Sequence, residues 1–269
     1  MANLGLPVPP DETPRLFSAG RMAKRWSYVG VFGPELMLCV GTARIGPIPQ
    51  RWWAIALPGR PIREQTTFGK GGVEFTPERV VVDAGDTHID LSLEANAAND
   101  VVEVASPAGG TWIWTRKQVV RTRGSVSVGG RAHELDCEAF VDESAGYHDR
   151  VTVWQWSAGL GRSSAGESVA WNLVSGIHDS TKDSERAVWV DGRAVEVGPM
   201  RFADDLSRIE FDEGGGLEFD AWSERAQKTN LLVFRNEYRQ PFGTFSGALP
   251  GGLTLAEGYG VMETHDVRW

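Results

Sequence analysis

Apolar residues in this chain recur in short runs and alternations, and almost nowhere at the three- and four-residue spacing of an amphipathic helix. Ile89-Asp90-Leu91-Ser92-Leu93 alternates cleanly, as do Val126-Ser127-Val128 and Trp154-Gln155-Trp156. That is the period of a strand with one buried face. Between such runs stand Gly71-Gly72, Ala84-Gly85-Asp86, Gly109-Gly110, Gly129-Gly130, Asp191-Gly192, Gly214-Gly215-Gly216 and Pro250-Gly251-Gly252. These residues supply the positive φ of tight hairpins. Strands recurring every 8–12 residues or so predict an antiparallel barrel or sandwich. Crossover helices are missing, which excludes a parallel βαβ sheet. Residues 16–24 and 223–228 are the two short helix candidates.

The pattern repeats. Residues 126–135 echo 188–197, a similarity that one favourable hairpin used twice would also produce. A longer echo runs through Trp26, Tyr28, Gly33, residues 36–44 and Trp52-Trp53, matched by Trp154, Trp156, Gly161, residues 169–176 and Val188-Trp189. Each half then closes on His-Asp before a tryptophan, His148-Asp149 before Trp154 and His265-Asp266 before Trp269. The chain therefore reads as two halves, 1–145 and 146–269, each a curled antiparallel sheet.

Composition sharpens this without redirecting it. Among 269 residues, 41% are hydrophobic and 23% charged, ordinary for a globular protein and unlike a disordered one. The net charge of −9 argues against nucleic acid or an anionic membrane surface as partner. No apolar stretch approaches the ~20 residues of a membrane-spanning helix. The start of the chain carries neither the basic residues nor the apolar segment of a secretory signal. The expectation is a cytoplasmic protein without a cofactor. Eleven tryptophans against four tyrosines suggest a wide apolar interior.

No HExxH, phosphate-binding GxxxxGK, GxGxxG or GxSxG motif is present, so no metal is expected. Cys39 and Cys137 read as buried apolar residues. The positive signal is His-Asp: three of the five histidines, His148, His178 and His265, precede an aspartate. Asp142 to Asp149 gathers carboxyls, Tyr147 and His148 just before the Trp154-Gln155-Trp156 strand. Glu263 and His265, two residues apart, project to one face of a strand. Facing a barrel interior, a carboxyl there would be desolvated and hold its proton near neutral pH. Trp154 and Trp156 could stabilise a developing carbocation by cation–π attraction. Against this, adjacent residues on a strand point to opposite faces, and a buried His–carboxylate pair is often no more than a satisfied core group.

Taken together, Asp142-Glu143-Ser144-Ala145-Gly146-Tyr147-His148, Trp154-Gln155-Trp156-Ser157-Ala158-Gly159, Trp171-Asn172-Leu173, Gly176-Ile177-His178-Asp179, Ser184-Glu185-Arg186, Gln240-Pro241-Phe242-Gly243 and Glu263-Thr264-His265 resemble a bacterial family of uncharacterised proteins, the domain of unknown function 2804 family. The motifs cover residues 140–269. That family is similar to lipocalin-like proteins such as carotenoid 1,2-hydratase and tocopherol cyclase. The resemblance implies an all-β fold of two lipocalin-like (calycin-type) antiparallel β-barrel halves with very little helix, binding a small apolar ligand of lipid, isoprenoid or polyketide kind. In the hydratases and cyclases it implies acid catalysis on a carbon–carbon double bond. No catalytic residue transfers from the family, so the roles come from the residues themselves. Glu263 or Asp142 is expected to donate the proton, while His265 and His148 orient the acid or accept a proton. Tyr147 and Asn172 would hydrogen-bond a polar end of the ligand, His178 and Asp179 would also bind it, and Trp154, Trp156 and Trp171 would shape the cavity. The rival expectation is a carrier or sensor with the same pocket and no turnover.

Overall fold

The computed structural model describes residues 14–69, 71–230 and 235–269. A small hairpin, β1 (Phe17–Ser18) and β2 (Arg21–Met22), precedes two large antiparallel sheets. The first sheet holds β3 (Lys24–Phe32), β4 (Met37–Ile45), β5 (Ile48–Ala56), β6 (Arg63–Phe68), β7 (Val73–Phe75), β8 (Arg79–Ala84), β9 (Thr87–Ala95), β10 (Val102–Ala108), β11 (Thr111–Val128) and β12 (Arg131–Gly146). The second holds β13 (Val151–Ser163), β14 (Ser168–Ser175), β15 (Ala187–Val190), β16 (Arg193–Glu196), β17 (Met200–Phe202), β18 (Arg208–Phe211), β19 (Gly216–Asn230), β20 (Arg235–Leu249) and β21 (Leu253–Arg268).

Both sheets run through one strand order. The first is β6-β5-β4-β3-β12-β11-β9-β8-β7 and the second β16-β15-β14-β13-β21-β20-β19-β18-β17. The long sequence echo falls on equivalent strands, β3 to β5 against β13 to β15. The short one does not: 126–135 is the β11–β12 turn and 188–197 the β15–β16 turn, one hairpin chemistry used in two unrelated places. In each half the sheet curls until its ends meet, β7 lying against β5 and β17 against β14. The result is two lipocalin-like β-barrel halves. The extra strand of the first sheet, β10, pairs with residues 111–117 of β11, while β9 takes residues 120–128.

The three largest apolar cores among the described residues follow from which faces are covered. Val29, Leu38, Val40, Ile89, Leu91 and Val126 fill the first half, and Trp171, Leu173, Ile209, Leu217 and Met262 fill the second. A third core is a layer between the halves, where Tyr28, Met37, Cys39 and Phe140 of the first meet Trp156, Ala170, Trp189, Phe242 and Val261 of the second. The layer explains two kinds of sequence signal. β9 is covered on one face and alternates; Met37, Leu38, Cys39 and Val40 are buried on both faces, so they read as a continuous apolar run. Gly159 shows how closely such strands pack. A Cβ there would come within 2.1 Å of the Trp171 ring on the neighbouring strand, so the indole occupies the space a side chain would need.

Two helix expectations are overturned. Residues 16–24 form the β1–β2 hairpin and the start of β3, because Ala19 and Gly20 both take positive φ and turn the chain. Residues 223–228 lie within β19, where a bulge at Ala221/Ser223 shifts the alternation by one residue and mimics helical spacing. Among the described residues, only Pro250–Gly252 makes a helical turn, of 3-10 type. Cys39 is fully buried as expected, but Cys137 is exposed, on the part of β12 before Phe140 where β3 does not pair with it.

Candidate functional site

The layer between the halves is not purely apolar. On β12, Val141 faces the first core, whereas Phe140 and Asp142 face the layer. Asp142 sits opposite Lys117 on β11 and Tyr28 on β3. The Lys117 ammonium donates to Asp142 and stands 3.3 Å from Glu185 Oε2, which the second half brings in after its 176–183 loop. All three side chains are buried. Burial works against the charge on Lys117, but the two carboxylates together hold the amine above its ordinary range. Asp142 is shifted up, by burial first and by Glu185 besides, against the pull of Lys117. Two carboxyls share one ammonium, so the three groups titrate as a coupled set.

Further along the same layer, Glu263 of β21 accepts from Trp154 Nε1 at 2.8 Å, Tyr238 Oη at 3.1 Å and Gln240 Nε2 at 2.9 Å. Burial pushes its pKa up to about 7 against the Trp154 and Tyr238 hydrogen bonds, and Asp142 adds to the rise. His265 projects from the same strand face. Its ring lies 4.3 Å from that of Trp154, its Nε2 is 2.5 Å from Asn236 Oδ1, and burial lowers its pKa to about 3. This face looks onto the layer between the halves rather than into a barrel.

Because Glu263 holds its proton to about pH 7 when folded but only to the ordinary 4.5 otherwise, the folded state binds the extra proton between those values. Its contribution to stability therefore falls as pH rises through that window. Glu263→Gln removes this dependence. Relative to the variant, the unmodified protein should lose about 2 kcal/mol between pH 5 and pH 7, measured by urea unfolding at both; an unchanged difference would refute the shift.

Where the halves meet at one end, a cleft of about 590 Å³ opens between β10 and the start of β11 on one side and the 176–183 loop on the other. His148, in the link between β12 and β13, and His178, in the loop after β14, are both buried and both line it. His178 Nδ1 lies 2.9 Å from Ser106 Oγ of the first half. Its Nε2 has no protein partner; that atom and both ring nitrogens of His148 are shut off from solvent, and the Gly146 backbone hydrogen-bonds to the His148 ring. Burial lowers the pKa of His178 to about 3, with Lys117 adding, and takes His148 well below its ordinary value, with His178 and Lys24 adding. Both are neutral imidazoles. The ring of His148 packs 4.7 Å from Trp26, and its carbonyl accepts from Lys24 Nζ at 3.1 Å.

The loop that presents His178 is held from below. His178 itself has φ +47°, a conformation that costs energy unless its surroundings fix it. The buried Arg186 guanidinium donates to the carbonyls of Asp179, Ser180 and Val197 at 2.8, 2.5 and 3.2 Å. Glu196 accepts from the backbone and hydroxyl of Ser184, both at 2.8 Å. Glu185 N bonds the His178 carbonyl at 3.2 Å, tying the loop to the Lys117 cluster.

Of the residues expected from sequence, His148, His178 and Asp179 meet in the cleft. Asp142, Trp154, Trp156, Asn172, Glu263 and His265 lie in the layer behind it. Asn172 links Trp156 Nε1 to the carbonyl of Glu185, with both bonds 2.8 Å. Two residues stand elsewhere. Trp171 packs in the core of the second half, because residue 171 has the opposite strand parity from Asn172. Tyr147 donates to the carbonyl of Arg15 and packs on Trp112, away from the cleft. Sequence reasoning missed Lys117, Ser106, Tyr238 and the roles of Glu185 and Arg186. Ser184-Glu185-Arg186 and Gln240 stood in the recognised motifs, but Lys117 becomes visible only once the β11–β12 register is known. Among the described residues, no group of three or more His, Cys, Asp or Glu is placed to hold a metal ion, and no helix is long and apolar enough to cross a membrane.

The sequence model of a family described as domain of unknown function (DUF2804) matches residues 62–269, thus reaching well into the first half. No curated protein matches the chain. Three solved structures share its fold at low identity. An AttH-type protein of Nitrosomonas europaea aligns with TM-score 0.58 and 13% identity over 90% of this chain and 91% of its own. Kievitone hydratase of Nectria haematococca gives 0.52 and 11% over 90% and 88%. CghA gives 0.52 and 13% over 91% and 88%.

Proposed function

The chain belongs to the DUF2804 family, and from that membership, its fold and its cleft we propose that it is a cofactor-independent hydratase, cyclase or isomerase acting by acid catalysis on an apolar unsaturated ligand. The observation that carries this reading is the pair of buried histidines, His148 and His178, that line one cleft between the halves, both held neutral by burial. A hydratase among the proteins of like fold supports the reaction class as an analogy of fold.

In this reading His148 and His178 touch the ligand. Held neutral, each can hydrogen-bond and polarise an oxygen without taking up a proton, as a desolvated imidazole does. Asp142, in the layer behind them and not itself lining the cleft, is the proposed acid, since burial and Glu185 hold its carboxyl above its ordinary range. Protonation of a double bond leaves a carbocation. Addition of water and loss of a proton from the oxonium gives hydration, attack by a second double bond and loss of a proton from the new cation gives ring closure, and direct loss of a neighbouring proton gives isomerisation. In each the released proton restores the acid that gave one. Glu263, deeper in the layer, is a second carboxyl of the same kind and is not in contact with the cleft.

Asp142→Asn tests the assignment cleanly, because Glu185 remains to balance Lys117 and the shape is kept. Apolar molecules that co-purify with the full chain are extracted and identified by mass spectrometry, then incubated with native and heat-denatured protein. The native protein should convert them, and Asp142→Asn should slow conversion at least 10²-fold with binding stoichiometry unchanged. Bound molecules left unaltered by native protein would favour the carrier.

A further inference from the structure

The first half carries charges at one end of its interior that the proposed function does not use. Alternate residues of a strand share a face. Arg25 and Ser27 of β3 therefore lie on the face that buries Val29, and Arg44 and Thr42 of β4 on the face that buries Val40. Along both strands burial falls off in steps, from the valine through the half-buried hydroxyl to the exposed arginine. Arg51 of β5 and Arg116 of β11, both half-buried, share the face of Trp53 and Val120. The curled sheet is a bowl with an apolar floor and an arginine rim, and none of these four arginines lines the cleft. We propose that the rim binds a phosphate dianion, free or carried on a small molecule, at a site independent of the cleft.

Strand register gathers the four guanidiniums. Arg25 stands directly opposite Arg44, a placement in which like charges repel. Arg51 is opposite Thr42, two residues along from Arg44. Arg116 is opposite Glu143, which is in turn opposite Ser27, two residues along from Arg25. Arg51 donates to the carbonyl of Gly69, and Arg116 to Gln118 Oε1 at 3.4 Å. Among the described residues, none of the four stands within ion-pair distance of a carboxylate. Two carboxyls share the face. Glu103 accepts from Trp114 Nε1 at 2.9 Å, and burial raises the pKa of Glu143 against the pull of Arg116 and Arg25. Four guanidiniums over two carboxyls leave two positive charges, in a chain whose net charge is −9. A phosphate dianion matches that excess, and its oxygens accept from several guanidinium forks at once.

The second half repeats the strand order and carries its own counter-charges. On the corresponding face of its sheet Arg239 meets Glu224 at 2.7 Å, and Lys228 meets Glu237 at 3.1 Å. Arg235 also stands opposite an arginine, Arg268, yet Asp266 at 3.1 Å and Glu237 at 3.7 Å neutralise it. In the first half no carboxylate takes that place beside Arg25 and Arg44. The counter-charge that one half builds in, the other leaves to an anion from solution.

Calorimetric titration of the full chain with inorganic phosphate and with phenyl phosphate at pH 7.5, chloride holding the ionic strength, tests the site. Phosphate should bind once per chain. Arg25→Gln and Arg44→Gln should each weaken it about tenfold or more. Neither variant should lower the melting temperature in phosphate-free buffer, because each relieves a repulsion. Arg235→Gln, at a paired position of the second half, should leave the affinity unchanged. Phenyl phosphate binding tighter than inorganic phosphate supports the site and assigns a phosphorylated small molecule; the reverse order supports it and assigns the free ion. No binding of either at millimolar concentration overturns the inference. So does binding that both rim variants leave unchanged, or that Arg235→Gln weakens as much as they do.

Discussion

Lys117→Met should destabilise the protein by about 3–5 kcal/mol at pH 7, the largest loss expected from one substitution in the layer between the halves. The variant leaves Asp142 and Glu185 buried together without a cation. One or both must then take up a proton, and the hydrogen-bonding geometry built around the ammonium is lost. In a chain of this size each kcal/mol moves the melting temperature by 2–4 °C or so, so a fall on the order of 10 °C is the thermal readout. The loss should shrink as pH is lowered and the carboxyls protonate. Adding Asp142→Asn should recover a large part of it, because one buried carboxyl is cheaper to neutralise than two. A single variant within 1 kcal/mol of the unmodified protein would mean that water reaches the cluster and that burial does not hold the Asp142 carboxyl above its ordinary range, which would also remove the acid from the proposed mechanism.

Acid should unfold the protein well before its ordinary carboxylates titrate. His178 and His265 have folded pKa values lowered to about 3 by burial, whereas an unfolded histidine protonates near 6.5. Below about pH 6.5 the unfolded state binds these protons and the folded state does not, so stability falls as pH falls. Glu263 acts in the opposite sense below pH 7. Two histidines set against one glutamate leave a net of one proton, or ~1.4 kcal/mol lost per pH unit between 6.5 and 4.5. His148, lowered in the same direction, steepens the fall. Urea unfolding at pH 7, 6 and 5 gives the slope, and His265→Phe should reduce it by about one proton. Stability that stays level from pH 7 to 5 would show that the imidazoles are already charged in the folded state.

Much of the architecture was legible because strands covered on one face carry the signal themselves. The alternation of residues 89–93 and the Gly-Gly and Asp-Gly turns mark hairpins that the structure contains. The long echo between the halves fell on equivalent strands, since each pair of sheets must present the same covered and uncovered faces. Where two signals overlapped, the reading failed. The bulge in β19 imitated a helix, and Ala19, an unusual residue at positive φ, concealed a turn. The candidate site was legible in its histidines and carboxyls, which are scarce and stand in motifs. It was not legible in its pairing. Lys117 meets Asp142 through strand register, and Glu185 meets both through the packing of one half on the other. Trp171 and Asn172 show the same limit from the other side: neighbours in sequence, they serve different cores.

The place of β21 in the second sheet has a consequence for how the protein is made. Its partner β13 pairs Val151 with Arg268, so the ribosome synthesises β13 more than a hundred residues before the strand that completes the sheet centre. By then the first half, whose own central pair β3–β12 closes at Gly146, has all its strands and can fold. Its layer face, with Tyr28, Met37 and Phe140, is the surface against which Trp156 and Trp189 finally pack. Assembly is thus vectorial: the earlier half is finished first and serves as the mould for the later one, and the cleft exists only after both.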